Sequence, residues 1–142
     1  MVEVAGVLLV QNGEYVVQKR DHIPGIAHPG QLAPWGGLVE GDESPKQGAV
    51  RELLEETGVA VSEEDLNFLT KLSIKAESIR SKGQMVDVYL YSVEIAADVP
   101  VVCNEGEKLV RIKGVQDIRD DEREGYLIAA IEAYEQQESQ SK

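Results

Sequence analysis

Apolar runs separated by turn signals predict that the chain begins with a β-hairpin. Val4 to Val10 is an apolar run of strand length, and Tyr15 to Arg20 is predicted to form a second strand. Between them stands Asn12-Gly13, a pair that favours the tight two-residue turn of a hairpin. Residues 21–37 follow, and their prolines and glycines predict a long irregular loop.

The clearest helical signal covers residues 45–57. Ser44 is placed to act as the N-cap, Pro45 suits the first helical position, and Gln47 completes a capping box with Ser44. Gly58 favours the left-handed conformation that ends many helices. The sequence therefore predicts a helix that is capped at both ends by its own neighbours.

Further strands are predicted after this helix. A short strand is expected at 59–61, one or two strands within 65–78, and another short strand at 109–112. Residues 85–95 alternate between apolar and polar side chains, which indicates a strand with one buried face.

A second helix is predicted at 122–138, where apolar residues recur at helical spacing. The polar residues 136–142 are expected to fray. Strands that are interleaved with two helices favour one domain over residues 1–142, and its expected fold class is a mixed α/β sandwich.

The acidic composition restricts the expected partners. The chain has 142 residues and a formal net charge of -12, which repels nucleic acid and anionic membranes, so neither is expected to bind. No apolar run reaches the roughly 20 residues that cross a bilayer. The first ten residues lack a basic secretory region, and the single Cys103 permits no internal disulfide. These features predict a cytoplasmic protein.

Three glutamates of the first predicted helix share one face. Glu52, Glu55 and Glu56 are three or four positions apart, so their side chains project together. The residues expected to point the opposite way, into the core, are Val50, Leu53 and Leu54. Carboxylate oxygens are hard donors that suit Mg²⁺ or Mn²⁺. Three glutamates alone are more often a solvated helix face, so their surroundings must decide.

The surroundings of this helix point to a specific motif. Paired glycines at 36 and 37 allow a close backbone approach to a ligand or metal, and Glu43 is spaced to pair with Arg51. From Gly37 to Val59 the chain resembles the Nudix box, G-x5-E-x7-R-E-U-x-E-E-x-G-U with U aliphatic, at every specified position. The chain therefore resembles the Nudix hydrolases, and the order of predicted elements is similar over most of its length.

The resemblance implies a fold and a reaction. The fold would be an α/β/α sandwich with a mixed central sheet. The reaction would be the Mg²⁺-dependent hydrolysis of a diphosphate link by metal-activated water, with Mn²⁺ as an alternative ion. The substrate would be a nucleoside diphosphate joined to a further group, such as a nucleoside triphosphate or a small nucleotide derivative. The box specifies neither the nucleotide nor the group.

The resemblance also assigns roles to the box residues. The implied metal ligands are Glu52, Glu55, Glu56 and the backbone carbonyl of Gly37 or its neighbour Gly36. Glu43 and Gly58 would be structural members of the motif. Arg51 would mainly be the partner of Glu43, and it is also counted among the candidate catalytic residues.

The proton acceptor is left open between two places. Glu55 is the candidate within the box. The other place is the loop before the strand predicted at 109–112, where relatives similar to MutT keep a glutamate. In that loop Glu105 is the first choice and Glu107 the second, and a solubilising role explains either of them equally well.

Three residues outside the helix are candidates for substrate contacts. Lys19 and Arg20 end the second predicted strand and could hold a phosphate, although an ordinary solvated strand end explains them as well. Trp35 stands where many relatives have proline. Its ring is placed either to stack on a base or, as we favour, to pack in the core.

A Nudix domain that senses a nucleotide without cleaving it is the alternative function. Loss of a box glutamate would favour that alternative, and none is lost here. An isomerase of this family would be expected to carry additional metal-binding histidines and cysteines. The expected partner is a small nucleotide, with a homodimer left open.

Overall fold

The computed structural model describes residues 2–21, 30–75, 83–123 and 125–140. Within these ranges the chain forms strands, two α-helices and three short 3-10 turns. The strands are β1 (Val2–Gln11), β2 (Glu14–Lys19), β3 (Leu32–Ala33), β4 (Trp35–Leu38), β5 (Asn67–Lys75), β6 (Met85–Ile95) and β7 (Lys108–Ile112). The helices are α1 (Pro45–Thr57) and α2 (Gly125–Gln140), and the turns are Glu63–Asp65, Val115–Asp117 and Asp120–Glu122.

The strands of the described ranges form one mixed sheet around β1. Their order is β3-β2-β1-β6-β5, with β4 paired to β1 and β7 paired to β2. β1 runs parallel to β6 and antiparallel to both β2 and β4. β1 therefore has β2 along its C-terminal half and β4 along its N-terminal half, on the same edge.

The two faces of the sheet carry separate cores. Because side chains alternate along a strand, neighbours on β1 enter different cores. Leu8 packs in the core that includes Leu127 of α2, and Leu9 packs in the core that includes Leu53 of α1. The sheet lies between the two helices, which confirms the predicted α/β/α sandwich. None of the described helices is long and apolar enough to cross a membrane.

The bounds predicted for α1 are confirmed. The Ser44 hydroxyl accepts from the Gln47 N–H at 3.1 Å, and the Gln47 side chain accepts from the Ser44 N–H at 2.8 Å. Gly58 has a φ of 76°, and its N–H donates to the Leu54 carbonyl. The hairpin turn at Asn12 and the strand at 85–95 are also as predicted.

The predicted loop at 21–37 is wrong in its second half, because β3 and the start of β4 lie there. These strands are too short for a periodic pattern, and they exist because they pair with β2 and β1. The first half of this loop includes 22–29, which lie outside the described residues. Residues 59–61, predicted as a strand, form none.

The predictions for residues 65–78 and for the C-terminal helix differ from the structure only in detail. A single strand, β5, occupies most of 65–78, whose last three residues are not described. The helix α2 begins at Gly125 and extends to Gln140, so the expected fraying is wrong for 136–140. The Gln137 amide donates to the Phe68 carbonyl at 3.0 Å and fastens this end of the helix to β5.

Candidate active site

The face that α1 buries differs in part from the expected one, since Val50 and Leu53 pack in the core as predicted. Leu53 is fully buried, as predicted, but Leu54 is 50% exposed, so the inward orientation expected for Leu54 is wrong. Glu56 is buried instead, at 3% exposure, while the Glu55 side chain is 57% exposed. Glu56 follows Leu53 by three positions and therefore turns toward the sheet with it.

The fold brings three carboxylates together. One oxygen each of Glu52, Glu56 and Glu105 lies within 4.8 Å of the others. In the part of the chain that the structure describes, no other group of three His, Cys, Asp or Glu side chains meets this distance. The cluster joins the buried side of α1 to the loop before β7. Glu55 and Glu107 are not members of it.

The backbone of β4 forms the wall beside this cluster. The Gly36 N–H donates to Glu56 Oε1 at 2.8 Å. A Cβ on Gly36 would overlap the carbonyl oxygen of Ala5, and a Cβ on Gly37 would lie 2.9 Å from the carboxyl carbon of Glu52. The paired glycines therefore let β4 approach β1 and let Glu52 approach β4.

Burial perturbs the carboxyl groups of the cluster. Desolvation, followed by repulsion from Glu105 and Glu52, raises the pKa of Glu56 to about 9, although the Gly36 N–H opposes this change. Burial also raises the pKa of Glu52, and Arg51 opposes it. Packing several carboxylates together in a poorly solvated place is unfavourable unless a cation compensates their charge. Because all the donors are hard oxygens, the residues present fit Mg²⁺ or Mn²⁺.

Arg51 connects the cluster to the loop before the helix. Its Nε and Nη2 donate to the two carboxylate oxygens of Glu43 at 2.7 and 3.0 Å, which is the predicted pair. The Arg51 guanidinium lowers the pKa of Glu43 to about 2. Nη1 donates to Glu52 Oε1 at 3.0 Å and to Glu55 Oε2 at 3.3 Å, and Nη2 also donates to the Leu38 carbonyl. Arg51 therefore holds Glu52 and the preceding loop in fixed relative positions.

This motif can be compared with known proteins. The sequence model of the NUDIX domain family matches residues 1–131. The chain belongs to the Nudix domain family. The predicted membership of the Nudix hydrolases is thus confirmed at the level of the family.

Solved structures show the same fold as this Nudix domain. The Ap4A hydrolase of C. elegans in a binary complex has a TM-score of 0.76 and 16% identity, with 99% of each chain covered. The MutT protein from Methanosarcina mazei Go1 has a TM-score of 0.76 and 17% identity, with 96% of this chain and 94% of that chain covered. A MutT/nudix family protein from Enterococcus faecalis has a TM-score of 0.63 and 22% identity, covering 78% of this chain and 42% of that one.

Trp35 is not available to stack on a base in this Nudix domain. Its side chain is fully buried, and its Nε1–H donates to the Val16 carbonyl at 2.8 Å. Assigning Trp35 to substrate contact is therefore wrong, and the alternative of core packing is confirmed. The indole packs where β4, which pairs with β1, meets the neighbouring strand β2.

The other two candidates for substrate contacts lie at the end of β2. Lys19 Nζ is 2.8 Å from Glu122 Oε2, and both side chains are 13% exposed. A phosphate at Lys19 would therefore share the ammonium group with Glu122. The Arg20 N–H donates to the Gln31 carbonyl at 2.9 Å. Their role in binding substrate stays a prediction.

Sequence reasoning missed two kinds of partner. One is the Gly36 N–H that binds Glu56, since the box pattern does not report which backbone groups donate. The other is Glu122, which is 103 positions from Lys19 and therefore has no spacing signal that links the two. Both contacts join parts of the chain that meet only in the tertiary fold.

Proposed function

We propose that this Nudix domain hydrolyses a diphosphate link in a nucleoside diphosphate joined to a further group, and that it requires Mg²⁺. The observation that carries the proposal is the meeting of the Glu52, Glu56 and Glu105 carboxylates beside the glycines of β4. A solvated acidic face does not explain it, because Glu56 is buried and its pKa is raised.

The three clustered glutamates would hold the divalent cation, and the neighbouring Gly37 backbone is a further candidate ligand. Mg²⁺ in proteins commonly binds through a few carboxylates together with substrate phosphates. When bound, the cation would compensate phosphate charge and lower the pKa of a coordinated water. Glu55 lies outside the cluster, where its carboxylate accepts from Arg51, so it is a weaker candidate ligand than the sequence alone implied.

The chain's own residues would prepare the site in three ways. The Gly36 N–H orients the Glu56 carboxylate, and Arg51 holds the Glu52 carboxylate in place and opposes the rise of its pKa on burial. Glu105 is the exposed member of the cluster, so solvent can reach its carboxylate. We assign to Glu105 the acceptance of the proton from the attacking water, with Glu55 as the alternative acceptor.

The substrate class rests on the family and on chemistry. The similar C. elegans protein is an Ap4A hydrolase, which supports a dinucleotide polyphosphate as the substrate, with a nucleoside triphosphate as the other candidate. The formal net charge of -12 disfavours any polyanion at long range, so a local cation is required. The site cation and Lys19 would supply the positive charge.

A substrate panel tests the function. The purified protein is incubated with Mg²⁺ and nucleoside triphosphates, dinucleotides or nucleotide sugars, and the phosphate products are identified. Glu105→Gln is expected to lower kcat by orders of magnitude, and its pH–rate profile is expected to lose the limb of the proton acceptor. The matched control is Glu64→Gln, an exposed acid in the first 3-10 turn, which should leave kcat unchanged.

Three results would contradict parts of the proposal. Nucleotide binding without cleavage would identify a sensor instead of an enzyme. Wild-type kcat in Glu105→Gln would remove that residue from the reaction. A reduced kcat with an unchanged pH–rate profile would keep Glu105 as a cation ligand and move the proton acceptor to Glu55.

A further inference from the structure

The loop at 102–107 covers the C-terminal end of α1. The last four carbonyls of an α-helix have no partner within the helix. In α1 all four of these carbonyls accept a hydrogen bond. The Leu54 carbonyl accepts from the N–H of the C-cap residue Gly58 at 2.9 Å. The other three accept from the loop, which therefore binds the helix that carries Glu52 and Glu56.

Asn104 accounts for two of these three hydrogen bonds. Its backbone N–H donates to the Glu56 carbonyl at 2.8 Å, and its side-chain Nδ2 donates to the Glu55 carbonyl at 3.1 Å. The Val102 N–H donates to the Thr57 carbonyl at 3.0 Å. Asn104, the residue immediately before Glu105, thus binds two consecutive carbonyls of α1.

The residues after Glu105 are held against β2. The Glu107 N–H donates to the Lys19 carbonyl at 2.8 Å. Gly106 has a φ of 88°, and a Cβ there would lie 2.9 Å from both the Lys19 carbonyl oxygen and Gln18 Oε1. Gln18 cannot give way easily, because it is 1% exposed and its amide donates to the Pro34 carbonyl.

We propose that Asn104 and Gly106 are positioning residues that fix Glu105 opposite Glu52 and Glu56, and so set the affinity for the divalent cation. This inference rests on the proposed function. Glu105 is exposed and lies on a loop, so without anchors on both sides its carboxylate would lose entropy on joining the cluster. Residues that orient ligands in this way typically change metal affinity by about 10- to 100-fold when they are replaced.

Mn²⁺ binding to the intact protein tests the proposal directly. Free Mn²⁺ is followed by its electron paramagnetic resonance signal during titration of wild type, Asn104→Ala and Gly106→Ala. We expect Gly106→Ala to weaken binding by about 10-fold or more, and Asn104→Ala by a smaller factor because its backbone bond survives. Val102→Ala is the control in the same loop, since it keeps the backbone bond to Thr57 and should bind Mn²⁺ like wild type.

A double-mutant cycle separates positioning from a general structural effect. If Asn104 acts through Glu105, adding Asn104→Ala to Glu105→Gln should cause no further loss of Mn²⁺ affinity. Unfolding temperatures measured in a chelator verify that each variant is folded. An equal loss in both backgrounds would overturn the proposal, because the asparagine would then act on the helix alone.

The remaining outcomes distinguish this inference from the function beneath it. Wild-type Mn²⁺ affinity in both Asn104→Ala and Gly106→Ala would overturn the inference while leaving the cation site intact. Unchanged affinity in Glu105→Gln would also overturn the inference, because Glu105 would then not be a cation ligand. Absence of Mn²⁺ binding in wild type would overturn the proposed cation site as well.

Discussion

Replacing Glu56 by glutamine is expected to stabilise the metal-free protein while removing its response to divalent cations. The side chain is 3% exposed and faces two other carboxylates, so its ionised form is disfavoured in the folded protein. Glutamine has nearly the same shape, keeps an oxygen to accept from the Gly36 N–H, and carries no charge. The substitution therefore removes a cost that only a bound cation would otherwise compensate.

The size of this effect follows from the pKa of Glu56, which rises from 4.5 to about 9 on folding. Since the folded pKa is the higher one, protonation of Glu56 stabilises the folded protein, and this contribution is fully present below pH 4.5. That contribution is lost progressively as the pH rises toward 9. Within this window each pH unit lowers the free energy of unfolding by about 1.4 kcal/mol, so the loss between pH 4.5 and pH 7 is about 3 kcal/mol.

Urea denaturation in a chelator measures this difference. Wild type and Glu56→Gln should have similar free energies of unfolding near pH 4.5, and the variant should be more stable by about 3 kcal/mol at pH 7. Glu64→Gln should follow wild type at every pH. Adding Mn²⁺ should then stabilise wild type but not Glu56→Gln. Parallel pH curves for wild type and Glu56→Gln would refute the reasoning.

Two further predictions concern α1. Leu53→Ala should lower the free energy of unfolding by about 2–5 kcal/mol, because Leu53 is fully buried. Leu54→Ala, at an exposed position, should change it by no more than about 0.5 kcal/mol. Equal losses of stability in urea denaturation would contradict the orientation of α1 in which Leu53 is buried and Leu54 exposed. Ser44→Ala should cost about 1 kcal/mol by removing the N-cap, and Ser44→Asn, which keeps an acceptor, should cost less; thermal unfolding compares the two, and equal melting temperatures would argue against the cap.

The sequence by itself determined the bounds and the chemistry of α1. Its caps at Ser44 and Gly58 are local, since each involves residues within four positions, and local signals can be read without knowing the fold. The pair between Glu43 and Arg51 was likewise readable from spacing and from the box pattern. The resemblance to one family supplied the α/β/α layering in the same way.

The sequence did not determine the rotation of α1 about its own axis. The spacing of Glu52, Glu55 and Glu56 places them on one side of a helix, but it does not say which of them the sheet covers. Packing against β1 and β4 buries Glu56 and exposes both Glu55 and Leu54. Trp35 was ambiguous for the same reason, because its burial depends on the pairing of β4 with β1 and on its contact with β2.

The sequence offered Glu105 as the first choice in its loop, but only the tertiary structure placed its carboxylate beside Glu52 and Glu56. Glu105 reaches the cluster because Asn104 binds the end of α1, and Asn104 is 49 positions from its partner Glu55. Contacts between residues so far apart leave no periodicity or spacing in the sequence. They form only when the strands have paired and the loop closes over the helix, so the geometry of the site depends on the fold even though its principal residue types do not.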